Sequence, residues 1–97
     1  MMRMEFLWDE RKNVSNQRKH GVSFEEAQTV FFDESAFEYD DPDHSEEEER
    51  FLMLGLSCRL RILVISYCFS SQEERIRIIS ARKATRKESR IYARGEP

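Results

Sequence analysis

The chain has 97 residues, 39% of them hydrophobic and 11% aromatic, with three Gly and two Pro; this provides one modest core and excludes both a second domain and a disordered chain. No run approaches the ~18 apolar residues that span a bilayer, and Met1-Met2-Arg3-Met4-Glu5 lacks the apolar stretch of a signal peptide, so a cytoplasmic protein without membrane contact is expected. The net charge of −3 is unevenly spread: residues 24 to 49 hold twelve acids and no Lys or Arg, whereas from Arg50 onward eleven bases stand against four acids, so the two blocks either form separate anion-binding and acidic surfaces or neutralise each other across the fold.

Residues 3 to 8, Arg-Met-Glu-Phe-Leu-Trp, read as a first strand, and Asp9 offers an N-cap to a helix over residues 10 to 20 that Gly21 stops. Val14 is almost its only apolar residue, so this helix is expected to be largely exposed or to face a partner. Ser23-Phe24-Glu25-Glu26 is a capping-box pattern opening a second helix to about Phe32, with Phe24, Ala27, Val30 and Phe31 on its core face. A short strand is expected over 36 to 40. The acid-rich segment Asp40 to Glu49, with Pro42 and His44, cannot bury itself and reads as a solvated loop or a surface for a basic partner.

From Arg50 the pattern changes to that of a sheet. Runs over 50 to 56, 60 to 69 and 74 to 82 are rich in Ile, Leu, Val, Phe and Tyr and are joined by short polar connections, which predicts an antiparallel meander with Ile62 to Phe69 in the middle. Cys58 and Cys68 lack metal-ligand spacing and read as buried reduced thiols. Thr85-Arg86-Lys87-Glu88 repeats the capping box and starts a last helix through about Ala93. The fold class expected is α+β, a small antiparallel sheet of three to four strands with two N-terminal helices and one C-terminal helix.

No phosphate-binding Gly-rich loop, nucleophile elbow or Cys-His cluster is present, so no cofactor and no metal site is predicted. His20 ends a helix whose dipole favours positive charge there, as a cap or a functional cation. In the run from Arg75 to Thr85, strict alternation puts Arg75 and Arg77 on one face and Ser80 and Arg82 on the other. Glu88 and Tyr92, one turn apart on the last helix, can return to orient those guanidinium groups, either as an ion-pair network or as a site. Such a set suffices for RNA cleavage. Arg77, Arg82, Arg59 or Arg61 can stabilise the phosphate, and Lys19, His20, Glu88 or Tyr92 can handle protons.

Taken together, Phe6-Leu7-Trp8-Asp9, Lys12, Asn16, the block Lys19-His20-Gly21-Val22-Ser23-Phe24-Glu25-Glu26-Ala27, Gly55, and the block Ile76 to Thr85 with Glu88 and Tyr92 resemble the BrnT family of toxins from type II toxin-antitoxin systems. The resemblance spans roughly residues 5 to 93. It implies a RelE-like fold, a metal-independent endoribonuclease that arrests translation, and a BrnA-type antitoxin through which alone operator DNA is contacted. Lys19, His20, Arg77, Arg82, Glu88 and Tyr92 become the catalytic candidates and Arg59, Arg61 and Arg75 the RNA-phosphate contacts. In one respect the chain departs from the pattern. Where many relatives close the strand before the second turn with a cation, this chain has Tyr67-Cys68-Phe69-Ser70, which favours as alternatives a weakened homologue acting as an antitoxin-binding corepressor or a non-catalytic nucleic-acid-binding module.

Overall fold

A computed structural model of the protein describes residues 4–42, 49–70 and 75–95; His44 and most of the acidic segment lie outside the described residues, as does most of the second short turn. The elements run β1 (Glu5–Leu7), α1 (Glu10–His20), α2 (Phe24–Ala27) continued by a 3-10 turn (Gln28–Phe32), β2 (Phe37–Asp40), β3 (Phe51–Leu56), β4 (Ile62–Phe69), β5 (Arg75–Lys83) and α3 (Arg86–Arg94). The five strands form one mixed sheet in the order β1-β5-β4-β3-β2. The fold is thus α+β as expected, but the sheet has five strands rather than three or four. It is not wholly antiparallel either, because β1 joins its edge parallel to β5.

Local chemistry accounts for the boundaries. The Asp9 side chain accepts from the Arg11 amide, and Gly21 ends α1 at φ 70°, a left-handed conformation that costs glycine little. Both halves of the Thr85–Glu88 capping box form at α3. At Ser23 only half forms: Ser23 Oγ accepts from the Glu26 amide, while the Glu26 side chain turns away to Arg61 and Ser57. After Ala27 the second helix tightens to 3-10 geometry, so it is shorter as an α-helix than the sequence pattern predicts. The core is the packing of Val22, Phe24, Ala27 and Val30 on Leu63, Ile65, Ile78 and Ala81, flanked by Phe6, Trp8, Phe31 and Met53. β4 is central and buried from Leu63 to Cys68. Cys68 is buried, but Cys58 is exposed in the β3–β4 turn, contrary to the expectation for that thiol.

Helix α1 docks by amides instead of an apolar stripe. Val14 is 44% exposed, and the buried positions are Asn13 and Asn16. Strand β1 pairs with β5 only as far as Arg77, and beyond it the outer edge of β5 has no strand neighbour in the sheet. Asn16 fills that role. Its Nδ2 donates to the carbonyls of Ala81 (2.9 Å) and Val22 (2.8 Å), and its Oδ1 accepts from the Ala81 amide (3.1 Å). Three buried backbone groups are thereby satisfied by one side chain. Asn13 Oδ1 accepts from the Phe24 amide at 2.8 Å, and Asn13 Nδ2 donates to Glu10 and Glu25, tying α1 to the start of α2. The helix is largely exposed, as expected, and Asn13 and Asn16 are its two buried residues.

Asn16→Ala is expected to strand those three groups and to destabilise the protein by about 3 kcal/mol. Thermal unfolding followed by circular dichroism should show a fall in Tm on the order of 15 °C, while Val14→Ala stays within a few degrees of the parent. A change at Asn16 no larger than that at Val14 would refute the clamp.

Candidate active site

Cross-strand partners share a face of a sheet, so the register assigns every strand side chain to one side. The side opposite the Phe24–Ile65–Ile78 core carries Leu7 of β1, Val64, Ser66 and Cys68 of β4, Leu52 and Leu54 of β3, and Phe37 and Tyr39 of β2. On β5 it carries Arg75, Arg77, Ser80 and Arg82 together. This corrects the alternation that separated the two pairs. Tyr67 is paired with Ile78 and Ser66 with Ser80, which leaves Ile79 as an extra residue, a β-bulge that resets the period. Every arginine of β5 thus belongs to a single surface.

Along this surface the cations are held in different ways. Arg75 Nε sits 3.2 Å from Glu5 Oε2 at the exposed edge. Arg77 is exposed and donates through Nε to Cys68 Sγ at 3.4 Å. A cavity of about 190 Å³ beside it is lined also by Asp9, Lys12 and Arg50, which brings two cations to Arg77 that the strand pattern alone did not nominate. Arg82 is gripped in a fork: Nη1 lies 2.7 Å from Glu88 Oε1 and Nη2 3.0 Å from Glu88 Oε2. Since Glu88 Oε1 also accepts from the Thr85 amide at 2.8 Å, the carboxylate that caps α3 is the one that orients Arg82. The hydrogen bond from Arg82 holds the Glu88 carboxyl down at about 2, outweighing its partial burial. Ser66 Oγ donates to Asp41 at 3.3 Å in the floor of the same surface.

Tyr92 does not reach β5. Its hydroxyl donates to Asp33 Oδ2 at 2.6 Å, an oxygen that also accepts the Leu56 amide at 2.8 Å. This fastens the far end of α3 to the turn before β2, and the hydrogen bond pushes the Tyr92 phenol up to about 12. Gly55 lets that turn approach: a Cβ there would lie 2.8 Å from Val30 Cγ1 and 2.9 Å from Ala36 Cβ. Between α3 and the sheet remains an open groove of about 430 Å³ whose walls are Phe37, Tyr39, Leu54 and Ile91, with Lys87 and Glu88 at its rim. Burial raises the Tyr39 phenol, and Tyr39 also senses the charges of Glu88, Arg82 and Asp41. Sequence reasoning missed Tyr39, although the spacing Phe37-x-Tyr39 in a strand was a usable signal.

The remaining candidates gather elsewhere. Arg61 belongs to the core side of the sheet, where Nε donates to Glu26 Oε2 at 2.9 Å, Nη2 also pairs with Glu26 Oε1, and the same nitrogen reaches the Gly21 carbonyl at 3.0 Å. The hydrogen bond from Arg61 keeps the Glu26 carboxyl below its ordinary value despite burial. Arg59 is exposed in the same turn and adds to that field. Lys19 and His20 close α1 next to Gly21, so they belong with this second cluster and not with Arg77 and Arg82. Ser70 donates its amide to the Arg75 carbonyl at 3.0 Å, which puts the missing cation of the sequence pattern beside Arg75. Among the described residues no group of three or more His, Cys, Asp or Glu is arranged to hold a metal ion, and no helix is long and apolar enough to cross a membrane.

The Arg82–Glu88 fork has a pH signature. Because the folded carboxyl titrates near 2 instead of its ordinary 4.5, its contribution to stability is fully present above pH 4.5 and is lost as pH falls toward 2. Urea unfolding of Glu88→Gln should therefore lie below the parent at neutral pH and converge with it in that acid window. A constant difference across the window would mean that the fork does not stabilise the fold.

The family model described as the ribonuclease toxin BrnT of type II toxin-antitoxin systems matches residues 8–88. The 1.1 Å crystal structure of the Brucella abortus ribonuclease toxin BrnT is similar, with a TM-score of 0.63 and 26% sequence identity over 87% of this chain and 100% of that one. No curated protein matches the sequence significantly. A match that covers the first helix, the meander and the Arg82–Glu88 pair establishes that the chain belongs to the BrnT family of ribonuclease toxins of type II toxin-antitoxin systems.

Proposed function

We propose that this toxin has a RelE-like fold and is a metal-independent endoribonuclease that cuts RNA on the arginine-bearing face of its sheet, arrests translation in the cytoplasm and is neutralised by a BrnA-type antitoxin. Operator DNA is reached only through that antitoxin. The observation that carries the reading is the bulge at Ile79, which gathers Arg75, Arg77 and Arg82 on one surface. In the proposed step the 2′-oxygen of a ribose forms a bond to the adjacent phosphorus as the bond to the 5′-oxygen breaks. A base takes the 2′-proton, an acid protonates the leaving oxygen, and the products end in a 2′,3′-cyclic phosphate and a 5′-hydroxyl. Arg77 and Arg82 neutralise the charge that grows on the pentacoordinate phosphate, and Arg75 binds the neighbouring backbone. Glu88, with its carboxyl held near 2 by Arg82, is a weak base, so its role is to aim that guanidinium. Tyr92, tied to Asp33, secures the helix that bears Glu88. Lys19, His20 and Arg59 are assigned to the longer RNA track or to the antitoxin contact, and Arg61, tied to Glu26 and the Gly21 carbonyl, to holding their turn in place.

A second reading has its own support. Ser70 occupies the position of an expected cation, and Arg82 is already paired with Glu88. On this reading the chain is an antitoxin-binding corepressor that has lost cleavage. Incubating the purified protein with RNA in the presence of EDTA separates the two. The nuclease reading expects cleavage with cyclic phosphate ends, and a loss of about a hundredfold or more in rate for Arg77→Ala and for Arg82→Ala, with native circular dichroism retained. Intact RNA together with tight antitoxin binding supports the corepressor, and full rates in both variants would overturn the arginine assignments.

A further inference from the structure

We infer that the groove between β2 and α3 is a nucleobase subsite in which a base splayed out beside the scissile phosphate stacks on Tyr39; the inference rests on the nuclease reading of the arginine face. Three observations converge on it. Phe37 and Tyr39 project from β2 to the same side as Arg77 and Arg82, so the groove opens onto the surface where the phosphate is proposed to sit. Its volume of about 430 Å³ falls within the ~300–1,000 Å³ range of small-ligand clefts. Its walls are aromatic and aliphatic while its rim is polar, the combination that takes a flat heterocycle by its faces and its edges. Single-stranded RNA is read in this manner, by unstacking bases onto aromatic rings.

Charge favours RNA as the occupant over an acidic peptide or a second copy of this chain. Helix α3 carries Arg86, Lys87, Arg90 and Arg94, and its one carboxylate, Glu88, is neutralised by Arg82. A strand whose base entered the groove would therefore have its phosphates between the cations of α3 and those of β5. Tyr39 suits the platform because a phenol is neutral at physiological pH, and burial here only raises it further, so the ring brings no negative charge toward the phosphates. Its phenol lies near enough to Arg82 and Glu88 to feel both charges, which places it beside the arginine row.

The test uses the full chain and short 2′-O-methyl RNAs, which cannot be cut, with 2-aminopurine moved through successive positions. Stacking on Tyr39 should quench the fluorophore at one position. Tyr39→Ala should abolish the quench, Tyr39→Phe should restore it, and Ile91→Trp, which fills the groove from the opposite wall without touching the platform, should abolish it as well. With cleavable RNA, Tyr39→Ala should raise KM by about tenfold or more with kcat changed by less than about twofold, the split expected of a binding contact. Quenching that persists in Tyr39→Ala, or an unchanged KM, overturns the subsite while leaving the nuclease standing, as does weakening of antitoxin binding with RNA binding unaffected. If the chain cuts no RNA, the nuclease reading falls, and the quench and its dependence on Tyr39 still decide whether the groove takes a base.

Discussion

The paired hydrogen bonds between the Asn16 amide and the backbone of Ala81 are the junction on which the two layers of this protein depend. Beyond Arg77 the outer edge of β5 is the one that β1 is too short to cover, although its other edge stays paired with β4. Without Asn16, the amide and carbonyl of Ala81 would be buried with no partner. With it, a helix almost devoid of apolar residues acquires a fixed place, and the neighbouring Asn13 extends the same logic to the first turn of α2. The apolar core then forms between a sheet and a helical layer whose relative position has already been set by amides.

The same bulge organises the charges. Were β5 regular, Arg82 would belong to the core side, where Arg61 and Glu26 already occupy one edge of the layer. Instead the arginines divide into two groups with different obligations. Arg61 completes a buried network with Glu26, Ser57 and Gly21 and is structural in its geometry. Arg77 and Arg82 stand on the other side, opposite Cys68 and Val64, and Arg82 is met there by Glu88 of α3. Helix α3 has no fully buried residue, so its position is set largely by Glu88 at one end and Tyr92 at the other. The capping box therefore serves more than its own helix, since the carboxylate that closes it is the one that points Arg82.

Much of this was legible in the sequence, and the failures have specific causes. Asp9, Gly21, Ser23 and Thr85 marked helix ends correctly because capping depends on residues within one turn. Phe24, Ala27 and Val30 announced the core by spacing alone. Asn13 and Asn16 could not be seen as buried, because a pattern reader treats amides as surface and their partners lie as far as sixty-five residues away. The β5 faces were misassigned because nothing in Ile78-Ile79-Ser80 distinguishes the residue that bulges from its neighbours; only the register with β4 does. The sheet was undercounted because β1 has three residues and returns to the last strand of the meander, a long-range pairing that leaves no local signature. Tyr39 was missed because its significance comes from a helix that begins forty-seven residues later.

That pairing of the first strand with the last also constrains when the molecule can be completed. Strands β3, β4 and β5 can zip in sequence as they emerge during synthesis, each beside its predecessor. Strand β1, made first, has to wait through the production of all the others before its partner exists. The edge that abuts Arg75 and Arg77, and the clamp that seats α1, can close only after the arginine strand has left the ribosome. A nascent chain is thus without an assembled arginine face until β5 has been made and β1 can pair with it.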